Sequence, residues 1–417
     1  MEAKTPSRLL ELDFFRGLVL LFIVVDHIAN SVMAKITLRN YAIADAAEVF
    51  VFLAGLVTAL SYAALARRKS VATADKRFLR RAWEIYVAFL ITAALMVVSG
   101  LILRASHIDI PSLGPTEVEA FVAAPWYFLF EVFTLQRQPF LSDILPMYAL
   151  FALATPLLIR IGRKSGVALL ALSLAVWLAA PMLASILPSA QHRGNWTFNP
   201  FAWQLLFVMG MSIGLRPHIP ENLSDRARRR ITIVACCFAA FGAFCAMLWG
   251  NPALHAAVVP QWVEDTFYPI SKANAAALRV LSFMSVAWLV YSLCRGGRMQ
   301  AVARRMSLIA MIGRNGLNCF VGAAVISLGA EAIAYGVTGG NPIWPVSLGV
   351  DVLAILAVIA VAAWSESRSK ARRAAAAAAA PVVAASSAST APVSPRTGPL
   401  GTAPVPPVQA PRQSTPH

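Results

Sequence analysis

Apolar positions along this chain collect into long runs separated by short polar connections. A bilayer core about 30 Å thick needs roughly 20 apolar residues as helix, and the runs that meet or approach this length lie at about 13–34, 43–66, 82–103, 143–161, 166–187, 200–215, 231–249, 275–293, 309–335 and 345–364. The pattern predicts an all-α, polytopic integral membrane protein with about ten transmembrane helices. The sixth run is short, and an interfacial anchor at Trp196 and Phe198 would extend it. Between the third and fourth runs, over about 104–142, the chain is polar and aromatic. Pro125-Trp126-Tyr127 and the aromatic residues up to Phe133 predict a short interfacial or re-entrant helix there.

Composition narrows the class. With 58% hydrophobic and 13% charged residues among 417, a soluble globular enzyme is excluded. The formal charge of +16 does not point to nucleic acid, because the basic residues form short clusters between apolar runs. Those clusters, from Lys4 and Arg8 through Arg67-Arg68-Lys69, Arg160 to Lys164, Arg226 to Arg230, Arg295 to Arg305 and Arg368 to Arg373, occupy alternate loops and mark them as cytoplasmic. Both termini are then expected inside, in a multi-pass membrane protein. Residues 1–35 have the look of a signal peptide, but Asp26-His27 follows the apolar run and further runs follow, which favours an uncleaved first helix. The expected organisation is a cytoplasmic segment over 1–12, a membrane domain over 13–366 and a disordered, Ala- and Pro-rich cytoplasmic tail over 367–417. The five cysteines lie in or beside apolar runs, with neither a disulfide framework nor metal-ligand spacing, and no metal is expected.

Ionisable residues at membrane depth cost several kcal/mol on insertion scales, so their default reading is functional. The first run holds Asp13, Arg16, Asp26 and His27. A helix entering near Asp13 carries His27 about 21 Å deep, toward the outer half. The second run enters through Asp45 and Glu48, whose i, i+3 spacing puts both carboxylates on one face, at about the depth of His27 on the antiparallel neighbour. A carboxylate that fixes the imidazole tautomer would let His27 take a proton from an attacking hydroxyl. Asp26 lies about 100° away around the helix and is the weaker candidate for that partner. The competing reading makes His27 and Glu48 interhelical polar contacts only.

Arg77, Arg80 and Arg81 open the third run at i, i+3 and i+4, a guanidinium face suited to phosphate groups; topology alone also explains basic residues there. Arg279, several residues inside an apolar run, would hold either an anionic substrate group or a structural carboxylate such as Glu331 or Asp351. In the outer loops, Arg137 and Asp143 precede the fourth run, and Trp196, Asn199, Trp203 and Gln204 combine aromatic faces with amides, the usual means of holding a sugar. Aromatic belts at bilayer surfaces produce the same composition. No Gly-rich phosphate loop, His-Glu-x-x-His or Gly-x-Ser-x-Gly elbow is present. The remaining histidines are isolated in loops or in the tail.

Taken together, Arg8-Leu-Leu-Glu-Leu-Asp13-Phe-Phe-Arg16-Gly17 with Asp26-His27, then Asp45-Ala-Ala-Glu48-Val-Phe, Asp143-Ile-Leu-Pro146-Met-Tyr148 and Asn199-Pro-Phe-Ala-Trp203-Gln204, resemble the OpgC family of membrane acyltransferases. That family is related to the acyltransferase type-three superfamily of polytopic O-acyltransferases. The resemblance implies transfer of a succinyl group from cytoplasmic succinyl-CoA, a co-substrate rather than a permanently bound cofactor, to periplasmic glucans. It also implies an essential histidine, here His27, and an Arg-x-x-Arg feature, here Arg77 and Arg80. The Ala/Pro tail is not part of the family core. With no extracytoplasmic hydrolase-like domain expected, the membrane domain itself would recognise the acceptor.

The combined expectation is a membrane O-acyltransferase with His27 as general base, Glu48, Asp45 or Asp26 beside it, and Arg16, Arg77, Arg80 and Arg81 on acyl-CoA. Arg137, Asp143, Asn199, Trp203, Gln204 and Arg279 would serve the acceptor or an anionic group. The expected partners are the lipid bilayer, the acyl-CoA donor and the glucan, with no nucleic acid. A transporter of a glycan, lipid or acyl group is the main rival, although no inverted repeat stands out in the hydropathy pattern. An O-acetyltransferase acting on another surface polysaccharide is the second.

Overall fold

The computed structural model describes residues 7–112, 115–189, 196–267, 270–295 and 297–388. The helices are α1 (Ser7–Asp26), α2 (Ala46–Arg68), α3 (Val71–Ala105), α4 (Pro115–Ala123), α5 (Pro125–Phe133), α6 (Ile144–Lys164), α7 (Gly166–Leu183) and α8 (Pro200–Leu215). They are followed by α9 (Asp225–Trp249), α10 (Pro252–Val258), α11 (Gln261–Phe267), α12 (Ala277–Cys294), α13 (Arg298–Arg305), α14 (Ser307–Arg314), α15 (Gly316–Thr338) and α16 (Trp344–Ala388). Among the described residues there is no strand. The protein is an all-α, polytopic membrane protein.

Among the described residues eight helices are long and apolar enough to cross a bilayer: α2, α3, α6, α7 with its following turn, α9, α12, α15 and α16. Two of the ten expected runs fall short of that standard. At 16 residues α8 is only about 24 Å long, less than the hydrocarbon core, and α1 carries Glu11, Asp13, Arg16 and Asp26 within its 20 residues. Both pack among other helices, α8 against α2 and α7, and α1 against α14, α2 and α15. Neighbouring helices, rather than lipid, therefore cover much of their surface.

Two runs end where polar side chains compete for the backbone. The first stops at Asp26 instead of continuing toward residue 34, and residues 27–45 form a loop with two short 3-10 turns. Thr37 Oγ1 donates to Asp26 Oδ1 at 2.6 Å and to the Ala34 carbonyl at 2.7 Å, and Asn40 Nδ2 donates to the same carbonyl at 2.6 Å. Asn30 takes the left-handed region at φ 61°, which asparagine tolerates better than most residues. The ninth run is broken at Asn315, whose Nδ2 donates to Met311 O and whose Oδ1 accepts from Ser365 on α16. The expected short helix near Pro125 is α5, with Trp126, Phe130 and Phe133 exposed along it.

Residues 7–366 form one unit; of the second, Ser367–His417, the helix is described through Ala388. The composition change near residue 371 thus does not coincide with the helix end. The expectation of a disordered tail falls largely on residues 389–417, outside the described residues.

Glycine sets the closest crossings. A Cβ on Gly55 of α2 would lie 1.9 Å from the Phe207 carbonyl oxygen of α8, and one on Gly210 would lie 2.0 Å from that of Phe52. Gly17 of α1 and Gly313 of α14 stand in the same relation to Ile309 and Asp13, at 1.9 and 1.8 Å. Backbones approach this closely only where no side chain intervenes. Gly55→Ala and Gly313→Ala are each expected to destabilise by about 1–3 kcal/mol, read as a lower melting temperature in detergent. Gly329→Ala, whose Cβ meets nothing within 4 Å, should be neutral or stabilising. Equal behaviour of all three variants would contradict this packing.

Candidate functional site

The end of the bundle bearing Arg67, Arg68, Arg163 and Lys164 is its basic end. A hollow of about 330 Å³ there is lined by Arg16 of α1, by Arg77 and Arg81 of α3, and deeper in by Phe50, Tyr148 and Phe320. Its wall on α2 extends from Leu65 to Phe50, a rise of about 22 Å, so it reaches most of the way to the opposite end. Arg77 and Arg81 are four residues apart and share one face. Arg77, Arg80 and Arg81 approach the single carboxylate Glu84 at 3.8, 3.2 and 3.3 Å, leaving the cluster with excess positive charge. Arg80 does not line the hollow, so the expected three-residue guanidinium face contributes two members to it. Arg16 joins them, with Asp13 at 3.5 Å. Beside them the Tyr148 hydroxyl is buried with no hydrogen-bond partner.

His27 lies at the other end, one residue beyond α1. It borders a second hollow of about 460 Å³ together with Asp26, Asn30, Lys35, Arg39 and Ser112. Its Nδ1 is 2.6 Å from the Ile23 carbonyl oxygen. A carbonyl only accepts, so Nδ1 carries the proton and Nε2 keeps its lone pair. Burial pushes the imidazole below its usual range; the Ile23 bond and Asp45 oppose this only in part, while Lys272 and Arg39 add to it. The ring is therefore a neutral base near pH 7. Phe140 meets it edge-on at 6.3 Å between centroids.

Glu48 and Asp45, the expected orienting carboxylates, are engaged elsewhere. Together they form the capping box of α2, in which Ala47 N donates to Asp45 Oδ1 at 2.8 Å and Asp45 N to Glu48 Oε2 at 2.9 Å. Arg279 then donates to Glu48 Oε1 at 2.6 Å and to Asp45 Oδ2 at 3.0 Å, and Lys272 Nζ lies 2.8 Å from Asp45 Oδ2. Burial opposes ionisation of Asp45, but Lys272 and Arg279 outweigh it and hold its carboxyl below the usual range. Arg279 is thus committed to Glu48 and Asp45, not to Glu331, Asp351 or an open pocket. Asp26, expected to be the weaker neighbour, is the carboxylate that borders the hollow with His27.

Glu331 and Asp351 each hold a loop backbone, Glu331 through Ser112, which lines that hollow. Ser112 N donates to Glu331 Oε1 at 3.2 Å, and Met33 N donates to Asp351 Oδ2 at 2.9 Å. Asp143, just before α6, has its carboxyl raised by burial against the pull of Thr197 and Lys272.

The expected sugar contacts are internal. Trp203 is fully buried, its Nε1 donating to the carbonyls of Lys272 and Ala273 at 3.0 and 3.1 Å. Asn199 Nδ2 donates to Ala180 O and to Asn274 Oδ1, each at 2.9 Å. Gln204 is spent on Ser173 and Phe201, and buried Trp196 donates to Pro188 O at 2.9 Å. Trp203 and Asn199 thereby clasp the loop that presents Lys272; an indole N–H or a side-chain amide satisfies a backbone carbonyl as readily as a hydroxyl. Arg137 is held by Glu131 at 2.7 Å and Glu117 at 3.2 Å, with Phe128 beneath it. It is a structural cation. Lys272, Lys35 and Arg39 were not singled out from the sequence; the available signal was that they are basic residues in loops that otherwise carry few.

Among the described residues no cluster of His, Cys, Asp and Glu is placed to hold a metal ion. A family model described as OpgC protein matches residues 8–370. No curated protein and no solved structure matches the chain.

Arg279→Ala leaves two buried carboxylates short of a cation and should cost about 3–5 kcal/mol, read as lost folded protein in detergent. Arg279→Lys, lacking the forked donors, should recover only part of this. Wild-type stability in Arg279→Ala would contradict the assignment.

Proposed function

The chain belongs to the OpgC family of membrane acyltransferases, and from this and the two opposed hollows we propose that it transfers an acyl group from acyl-CoA to hydroxyls of a glucan. The acyl group that family membership suggests is succinyl, the donor side cytoplasmic and the acceptor side periplasmic, across the bacterial inner membrane. The observation that carries the reading is the His27 geometry: a neutral imidazole with its Nδ1 proton committed to Ile23 O and its ring bordering an open, polar hollow.

On this reading the phosphates of acyl-CoA rest on Arg77 and Arg81, where forked guanidinium donors match phosphate oxygens, with Arg16 further in. The acyl end points up the apolar wall toward Phe50 and Tyr148. No residue lines both hollows. They come nearest in sequence at the start of α6, where Phe140 borders one and Ile144 and Leu145 the other. Leu141 between them has φ 61°, strained for a non-glycine residue; on this reading transfer requires the partition there to admit the thioester. His27 Nε2 then takes the proton of a glucan hydroxyl as its oxygen attacks the thioester carbon. The C–S bond breaks, the CoA thiolate takes the proton back from the imidazolium, and the new ester leaves with the glucan. Asp45 favours the transient imidazolium electrostatically, and Asp26 lines the same hollow.

Purified protein in detergent, given succinyl-CoA and a glucan, is expected to release free CoA in step with ester formed on the glucan, as measured by mass spectrometry. His27→Ala should abolish both while membrane abundance is unchanged; unchanged acylation by that variant would refute the role. A transporter releases no CoA. Arg77→Ala and Arg81→Ala should raise KM for acyl-CoA about tenfold or more, from loss of charge-assisted contacts, whereas Arg80→Ala should change it little. Because the imidazole pKa is lowered, kcat/KM should rise with pH through the acid range and level off by neutrality. A rate that falls across that range as pH rises would contradict a neutral His27 base.

A further inference from the structure

Outer loops of this chain carry few basic residues, yet Lys35 and Arg39 lie four apart in the one that follows His27, and both border the His27 hollow. A basic residue there works against the distribution that orients the other loops, so topology does not account for the pair. Structure accounts for only part of it. Arg39 donates to the Asp26 carbonyl at 3.1 Å through Nη1, and its Nε lies 3.4 Å from Asp26 Oδ1. That carboxylate already accepts from Thr37 at 2.6 Å, and half of the Arg39 side chain remains open to solvent. Lys35 makes no ion pair with any described residue. With His27 neutral, Asp26 is the one carboxylate among the described lining residues against two cations, so the lining itself has an excess of positive charge; Glu331 stands behind it, bonded to Ser112 N. Its remaining polar lining includes Asn30, Ser31, Asn40 and Ser112, uncharged donors and acceptors suited to hydroxyl groups.

The order in which a donor would arrive adds a constraint. Acyl-CoA held by its phosphates at Arg77 and Arg81 presents the far end of its acyl group first to the partition beside Phe140. With the thioester carbon at His27, whatever lies beyond it projects into the outer hollow, toward the loop of Lys35 and Arg39. An acyl group ending in a methyl would leave those cations without an anion. One ending in a carboxylate would supply it.

We propose that Arg39 and Lys35 form a carboxylate subsite that selects donors whose acyl group ends in a negative charge, making them specificity-determining residues. This rests on the acyl transfer proposed above. It fixes the class of donor by a named charge pair in the outer hollow, and leaves the phosphate contacts common to all acyl-CoA molecules.

The test compares succinyl-CoA with acetyl-CoA as donors to the same glucan, measured as kcat/KM by CoA release and ester mass, for wild type, Arg39→Gln, Lys35→Gln, the double variant and Arg39→Lys. Wild type should prefer succinyl-CoA. The succinyl-to-acetyl ratio should fall roughly tenfold to a hundredfold in the double variant, the range for a lost hydrogen bond to a charged group, with Arg39→Lys restoring much of it. A merely structural role for Arg39 would lower both donors in proportion and leave the ratio unchanged, which overturns the inference. A wild type that prefers acetyl-CoA, or a double variant with an unaltered ratio, overturns it as well. Acyl transfer as such stands or falls separately, on whether wild type releases CoA and His27→Ala does not.

Discussion

The ion network of Arg279 with Glu48, Asp45 and Lys272 sets the terms for the rest of the molecule. A guanidinium only 9% exposed survives in a membrane bundle because two carboxylates face it, and a fully buried Glu48 survives for the same reason. The contacts tie the start of α12 to the start of α2 across more than two hundred residues of sequence. The capping box of α2 makes the carboxylates serve twice, once for backbone N–H groups and once for the cation. The network therefore engages the carboxylate oxygens of Asp45 and Glu48, and Asp45 bears on His27 through charge alone. A backbone carbonyl orients the imidazole instead, and Asp26 is the acid that lines the same hollow.

The same logic separates groups that hold the fold from groups still available for chemistry. Trp203, Asn199, Gln204 and Arg137 have their polar atoms matched inside the protein. Nε2 of His27 and the basic groups lining the two hollows keep capacity for a ligand, one set at each end of the bundle. Residues 140–145 contribute to both hollows, Phe140 to one and Ile144 and Leu145 to the other, and the positive φ of Leu141 puts local strain within this segment. Strain of this kind persists only where surrounding structure enforces it.

Much of the fold was legible because the bilayer imposes its own ruler: an apolar run of about 20 residues has few alternatives to helix. The short helix at Pro125 was legible for a related reason, an aromatic run too short to span. The ends of α1 and α14 were not, because Thr37, Asn40 and Asn315 act through side-chain bonds to backbone groups that hydropathy does not register. The site divided along the same line. Local spacing placed Arg77 and Arg81 on one face, since i and i+4 are helical neighbours, but it could not tell that Arg80 turns away from the hollow. The partner of Arg279 depends on which helices touch, so the sequence pointed to Glu331 or Asp351, whereas the contacts are to Glu48 and Asp45. Trp203 and Asn199 misled because the composition that recognises a sugar also satisfies a buried loop.

The central claim is that donor and acceptor approach His27 from opposite faces of the membrane. Sealed proteoliposomes containing the protein, loaded with glucan and given radiolabelled acyl-CoA only outside, test it most directly. The account predicts label in ester linkage on the enclosed glucan, with free CoA remaining outside. Label appearing only when donor and glucan share one compartment would contradict it.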